Sequence, residues 1–262
     1  MEWKTIRRWL ILMVLAVDLF LAGNLLRQGL SVLHNERQAV QDAVAVAQTR
    51  GVDISAEAVL RLPADMTLWQ ASRSEELENA AALALLGPVQ REAPGGGVAI
   101  YTADKGQMVF RRGGAVELSA LWDQPFDPAS CTAALESAGF AAQEAMQEQS
   151  GSDIILVQMF EGLPVFNSRL TCRREAGNLL LEGRWMLADE PAAQGSGLTR
   201  AQMVLALCDL LEAKQTTLQD VQAGYYLFSE DGQSLLLEPV WAAVTADGQV
   251  LISCITGQPV SF

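Results

Sequence analysis

Thr199-Arg200-Ala201-Gln202-Met203-Val204-Leu205-Ala206-Leu207-Cys208-Asp209-Leu210-Leu211-Glu212-Ala213, with the three runs Gln222–Ser229, Gln233–Thr245 and Gln249–Ile255 behind it, is the stretch on which the fold reading turns. Thr199 stands where a helix N-cap belongs. Cys208 then sits among Val204, Leu205 and Leu211 at helical spacing. The runs that follow are rich in Val, Leu, Ile and aromatic residues, and Cys254 alternates with Val250 and Ile252. Asp231-Gly232 and Asp247-Gly248 separate them, and Asp-Gly between apolar runs is the strongest short hairpin signal. The stretch therefore predicts a helix followed by three antiparallel strands.

Upstream, the same order recurs twice. Helical residues 74–86, with Ser72 as N-cap and Glu75 completing a capping box, stop at Gly87-Pro88. Strands Val98–Thr102, Gln107–Arg112 and Ala115–Leu121 follow, turning at Asp104-Lys105-Gly106 and Gly113-Gly114. Next, Asp127-Pro128 opens a helix expected to reach about Gln149, with an interruption near Gly139. Strands Asp153–Phe160, Pro164–Arg174 and Asn178–Leu187 come after it, and Ala188–Gly197 reads as a linker. The expected fold class is α+β: repeated units of one helix on a three-stranded antiparallel sheet, in a cystatin-like or PepSY-like arrangement. Two of the three units could also merge into one larger sheet. The expected division is a tail at 1–5, a membrane helix at 6–26, a helical stalk at 27–50, a first α+β unit at 51–125, and a C-terminal region at 126–262 comprising units 126–187 and 198–262.

The N-terminal part differs in kind. From Trp9 to Leu26 every residue is apolar except Asp18 and Asn24, and Ile6 extends the run to about the 20 residues that span a bilayer. Lys4, Arg7 and Arg8 precede it, so the positive-inside bias predicts a single-pass protein of the cell membrane with a cytoplasmic N-terminus and an extracytoplasmic body. The rival is a cleaved signal peptide, but Leu21-Ala22-Gly23 is a poor cleavage site. Trp3 and Trp9 fit an interfacial belt. Beyond the run, Leu33, Val40 and Ala47 repeat every seven residues to Gly51. That stripe suits either a helix packed on its own body or a coil that binds a partner.

The chain of 262 residues carries a formal charge of −13. Setting aside Glu2, Lys4, Arg7, Arg8 and Asp18 leaves 15 basic and 29 acidic residues, or −14, on the body. Such a surface repels phosphate backbones, which argues against nucleic acid as a partner. Four cysteines (Cys131, Cys172, Cys208 and Cys254) allow three full pairings, but Cys208 and Cys254 sit on apolar faces, where buried free thiols are the plainer reading. No CxxC spacing occurs and His34 is the sole histidine, so neither zinc nor another cofactor is expected.

Catalytic patterns are missing too. No GxSxG, HExxH or phosphate loop occurs, and Pro94-Gly95-Gly96-Gly97 precedes a strand. The carboxylate pairs Asp123/Asp127 and Glu144/Glu148 are the only hydrolase-like feature, and an acidic surface produces such pairs routinely. Of the body's tryptophans, Trp69, Trp122, Trp185 and Trp241, the last two lie in strands and are expected in a core rather than stacked on a ligand. The protein is therefore read as a non-enzyme. The exception to this blandness is Asp18, a carboxylate inside a membrane helix that is tolerated chiefly when it faces other helices. Ala22 and Leu25 share its face, and a small residue there admits close helix approach, so Asp18, Ala22 and Leu25 form the candidate partner-contact face.

Met1-Glu2-Trp3-Lys4, the basic pair and Val17-Asp18-Leu19-Phe20-Leu21 resemble the N-terminus of the YycI regulatory proteins, relatives of the YycH proteins. Pro239-Val240-Trp241, Asp247-Gly248 and Thr256-Gly257 are similar to that family's last hairpin. The resemblance implies a bitopic regulator that associates with a membrane sensor histidine kinase controlling cell-wall metabolism in Gram-positive bacteria, with a YycH-like anchored protein as a further partner. It carries over no catalytic residue. Asp18 departs from the Asn often found there, and four cysteines exceed the family's usual number. The alternative is an extracytoplasmic peptide- or protease-binding module, in which the body alone would hold the target.

Overall fold

The structure, a computed structural model, describes residues 34–214, 217–229 and 234–260 together with Met13 and Asp18. The heptad stripe after the apolar run is packed against its own body. In helix α1, described over 34–49, Val40 and Ala47 are fully buried and Ala43 and Val44 nearly so. Arg200 fastens one end of α1, donating to Glu36 at 2.6 Å and to the Leu62 carbonyl, while Gly51 at φ +81° ends the other. The short helix α2 (Ala56–Arg61) follows, capped by the Ser55 hydroxyl.

The chain then runs through β1 (Thr67–Ser72), α3 (Glu75–Leu86), β2 (Gln90–Gly95), β3 (Val98–Ala103), β4 (Gly106–Phe110) and β5 (Ala115–Leu121). It continues with α4 (Pro128–Ser137), β6 (Met146–Ser150), β7 (Asp153–Phe160), β8 (Leu163–Glu175), β9 (Asn178–Arg184) and β10 (Ala192–Ser196). Helix α5 (Arg200–Lys214) and strands β11 (Leu218–Phe228), β12 (Ser234–Thr245) and β13 (Gly248–Ser253) complete it.

These strands do not form separate three-stranded units, which corrects the expected fold class. They join in one 13-stranded sheet whose main path is β10-β1-β12-β11-β8-β9-β5-β4-β3-β2, with β13 beside β12 and β6-β7 beside β8. The physical reason lies in the edges. A three-stranded sheet leaves two rows of unpaired N–H and C=O groups, and each extra pairing removes one. Here β5 pairs with β9 along its whole length, from Ala115↔Arg184 to Leu121↔Asn178. β1 pairs with β12 from Trp69↔Leu237 to Ser72↔Ser234, and β8 meets β11 in parallel at Val165↔Tyr225.

Other local departures have visible causes. The helix opened at Asp127 stops at Ser137, because the chain reverses at Gly139 with φ +81°. Residues 146–150 are then free to become β6 on the edge of β7. Ser72 ends β1 and Ser74 stands at the N-cap of α3. The last hairpin turns at Ala246-Asp247, where Thr245 Oγ1 donates to the Gly248 carbonyl at 2.8 Å. Asp231-Gly232 lies outside the described residues, as does the expected membrane helix 6–26 apart from Met13 and Asp18. Among the described residues, no helix is long and apolar enough to cross a membrane.

Two main cores result. In the first, α1, α2 and α5 cover one face of β1, β11, β12 and β13 around Trp241, Leu207, Tyr225 and Leu237. In the second, α3 and α4 lie on β3–β5 and β7–β9 around Trp185, Tyr101, Leu156 and Leu181. The far face of the first sheet half carries a small third cluster of Tyr226, Val240, Ala242 and Leu251.

Candidate functional site

Where the two halves meet, polar side chains sit inside strands. β7 bulges between Val157 and Met159, which releases Gln158 from the ladder. Its amide then imitates a peptide group, with Oε1 accepting from Met186 N at 3.0 Å and Nε2 donating to Met186 O at 3.2 Å. The fully buried Ser168 hydroxyl bonds to Gln158 Oε1 at 2.6 Å. Asn167 does the same across the junction, accepting from Leu227 N at 2.8 Å and donating to Leu227 O at 2.9 Å. These groups satisfy each other and present no reactive atom, so the seam is structural.

A second polar cluster surrounds a cavity of about 190 Å³ at the start of α3, lined by Arg73, Glu75, Arg91 and Gly97 among others. Arg73 is held by both oxygens of Glu78 and by the Gly97 carbonyl, and Arg91 pairs with Glu75 at 2.7 Å. Each cation already faces a carboxylate, so no charge is left over for a ligand.

The better candidate is the far face of the first sheet half, beside its edge. Leu68 on β1, Leu236 and Glu238 on β12, Phe228 on β11 and Ile255 line a groove of about 310 Å³. Alternation puts them there: Trp69, Leu237 and Leu227 point to the helix side, so Leu68, Leu236 and Phe228 point away from it. The lining is apolar except at Ser229 and at Glu238, which accepts from the Ser253 hydroxyl. The sheet ends one strand further on, at β10, where Gly195 lies directly opposite Leu68. Every residue of β10 is exposed. What this arrangement can do is bind; the described residues hold no cluster of three or more metal-ligating side chains.

The candidates read from sequence fall elsewhere. Asp18 is described as helical and exposed, while Ala22 and Leu25, and with them the partner-contact face, lie outside the described residues. Asp127 caps α4, and its pKa is lowered by the Ser130 N–H at 2.9 Å and by the Ser130 hydroxyl. Asp123 is exposed, so the Asp123/Asp127 pair has an ordinary capping explanation. Glu144 and Glu148 lose their helical spacing because 146–150 is strand, and Glu148 lies 3.7 Å from Arg169. Trp185 and Trp241 fill the two cores. Trp69 packs edge-on against Phe160, and Trp122 donates to the Pro125 carbonyl. All four cysteines are free and buried, and burial pushes the Cys131 thiol up to about 11 and those of Cys172 and Cys254 up to about 12.

The groove and its edge were missed in sequence. β10 lies inside the residues read as a linker, and small residues between Pro191 and Gly197 carry no strand signal. The one available hint was the period-2 alternation of Leu235, Leu237 and Pro239 against Leu236, Glu238 and Val240, which marks a strand apolar on both faces.

No family of known proteins matches the chain, and no curated protein matches it in sequence. Among solved structures, an uncharacterized protein from Eubacterium rectale is similar at a TM-score of 0.44 and 11% identity, covering 76% of this chain and 86% of that one. The Bacillus megaterium YpeB C-terminal domain is similar at 0.37 and 10% identity, covering 73% of this chain and 97% of that domain.

Proposed function

We propose that the protein is a membrane-anchored, non-catalytic regulator that associates with a sensor histidine kinase. Residues 6–26 would cross the membrane, and the sheet-built body would lie outside the cytoplasm. Asp18, Ala22 and Leu25 would form the face that meets the kinase's membrane helices, with a YycH-like anchored protein as a second partner. The observation that supports this reading is the packing of α1. Because Val40, Ala43, Val44 and Ala47 are locked into the body's core and Arg200 grips Glu36, the helix that follows the apolar run in sequence is bound to the body. A displacement passed on to α1 would thus be felt by the sheet.

The test is reconstitution of the full chain with a candidate kinase in proteoliposomes, reading co-purification and autophosphorylation. Asp18→Leu should weaken association, and a flexible Gly-Ser insertion between Leu26 and His34 should preserve association while uncoupling its effect on phosphorylation. If an unrelated membrane helix in place of 6–26 left both readouts unchanged, helix-to-helix regulation would be excluded.

A further inference from the structure

Among the described residues, the strands that end the sheet's pairings, β2, β6, β13 and β10, are not equally protected. β2 carries Arg91, Glu92 and Pro94, and proline and charge discourage a further strand. β6 carries Glu148, paired with Arg169. β13 is covered by the returning chain, with Pro259 opposite Ile252 and Val260 N bonded to Leu251 O. β10, Ala192-Ala193-Gln194-Gly195-Ser196, has none of these devices. It has no charge and no proline, and nothing among the described residues pairs with its outer side.

Gly195 adds a second feature. It faces Leu68 across the β1–β10 pair, so its missing side chain would have stood on the same face as the groove. A Cβ placed there meets nothing within 4 Å, and its φ lies outside the left-handed region. Neither strain nor close packing therefore requires glycine at this position. Its effect is to leave the groove of Leu68, Leu236 and Phe228 open sideways to the sheet edge.

Charge decides what enters. Asp189 and Glu190 sit exposed just before β10, separated from it by Pro191, and neither is in an ion pair among the described residues. Glu238 lies within the groove, and the body carries −14. A second copy of so acidic a chain is repelled, whereas a cationic segment is drawn in.

The geometry points to β10 as a docking edge for an extended, basic peptide segment of a partner protein, which adds as a further strand and passes one large apolar side chain over Gly195 into the groove. Backbone hydrogen bonds supply affinity, and the groove supplies selection for the anchor residue. An added strand lies about 5 Å outside β10 and about 10 Å from β1, a span that an aromatic side chain bridges in part and that Leu68 meets from the other side. This inference does not depend on the kinase reading.

The test uses the full chain in detergent micelles and three fluorescein-labelled heptapeptides: KTVFVTK, its anchor-less form KTVAVTK, and its acidic form ETVFVTE. Anisotropy should show saturable binding of the first, at least tenfold weaker binding of the other two, and a preference over the acidic form that shrinks with salt. Hydrogen exchange should show added protection at 192–196. Gly195→Val, which fits the space and the strand backbone, should weaken KTVFVTK at least tenfold without lowering the protein's melting temperature; Gln194→Lys should weaken it through repulsion. Equal binding of KTVFVTK and KTVAVTK, unchanged binding by folded Gly195→Val, or no saturable binding to millimolar peptide would each overturn the proposal. So would a peptide-free dimer broken by Gln194→Lys, since a second copy would then occupy the edge.

Discussion

Asn167→Ala should loosen the joint between the two halves of the sheet. β8 and β11 share a single ladder pair, Val165↔Tyr225, and the Asn167 amide supplies the next rung by bonding both backbone groups of Leu227. Leu227 is fully buried, so truncation leaves its N–H with no partner and its carbonyl with only the 3.3 Å bond from Arg184. Losing the bond to the carbonyl costs about 1 kcal/mol and leaving the buried donor unsatisfied costs about 1–3 kcal/mol, which gives a loss of about 2–4 kcal/mol. With a urea slope of about 2 kcal/mol per M, the unfolding midpoint should fall by about 1–2 M. Trp185 and Trp241 occupy different cores, so single-tryptophan variants report each half separately. Their transitions should coincide in the parent and separate in Asn167→Ala. The variant Asn167→Asp keeps an acceptor for Leu227 N–H but sets a carboxylate oxygen against Leu227 O. It should therefore be destabilised at neutral pH and partly recover near pH 4, where a protonated carboxyl can donate. A loss below about 1 kcal/mol with coincident transitions would refute the idea that this side chain joins the halves.

Gly183 lies in β9 at φ +149°, where a Cβ would stand 1.9 Å from the Arg169 carbonyl oxygen; Gly183→Ala should cost more than about 3 kcal/mol in chemical denaturation, while Gly195→Ala stays within about 0.5 kcal/mol. Glu78→Gln strips the charge from a pair whose side chains are only 11% and 3% exposed, and should cost about 3 kcal/mol, whereas the double replacement Arg73→Met with Glu78→Leu should recover most of it in thermal melts. The buried thiols make a pH prediction. Their folded values of about 11 for Cys131 and about 12 for Cys172 and Cys254 lie above the ordinary value of 9.0, so the unfolded chain loses these protons first as pH rises. Their contribution is fully present below pH 9 and is lost between about 9 and 12, and Cys→Ser variants should show a flatter alkaline limb in denaturation measured against pH. At pH 8 the same thiols should resist iodoacetamide in the native protein and react on unfolding.

Local patterns carried a good deal of this architecture. Asp153–Phe160 and Ala115–Leu121 stand where short strand-like runs bounded by turn residues put them. α4 begins at Pro128 behind the Asp127 cap for equally local reasons. What alternation does not encode is the neighbour. Nothing in Ala115–Leu121 names Asn178–Arg184 as its partner, and so the local patterns pointed to separate units rather than to one sheet. Gln158, Asn167 and Ser168 read as ordinary polar positions, although each is committed to a specific backbone or side-chain group 10 or more residues away.

By itself, the sequence determined an apolar run of membrane-spanning length with Asp18 inside it, an acidic body, and the starts of several helices and strands. Those properties follow from composition, charge and periods of 3.6 and 2, which act within a few residues. Only the tertiary structure decided that the strands share one sheet, that α1 belongs to the body, and that Gly195 opens a groove at an unguarded edge. The reason is that backbone hydrogen bonds across strands are the same for every side chain. Which edge meets which is settled by burying all the apolar faces at once, and that requires the whole chain in place.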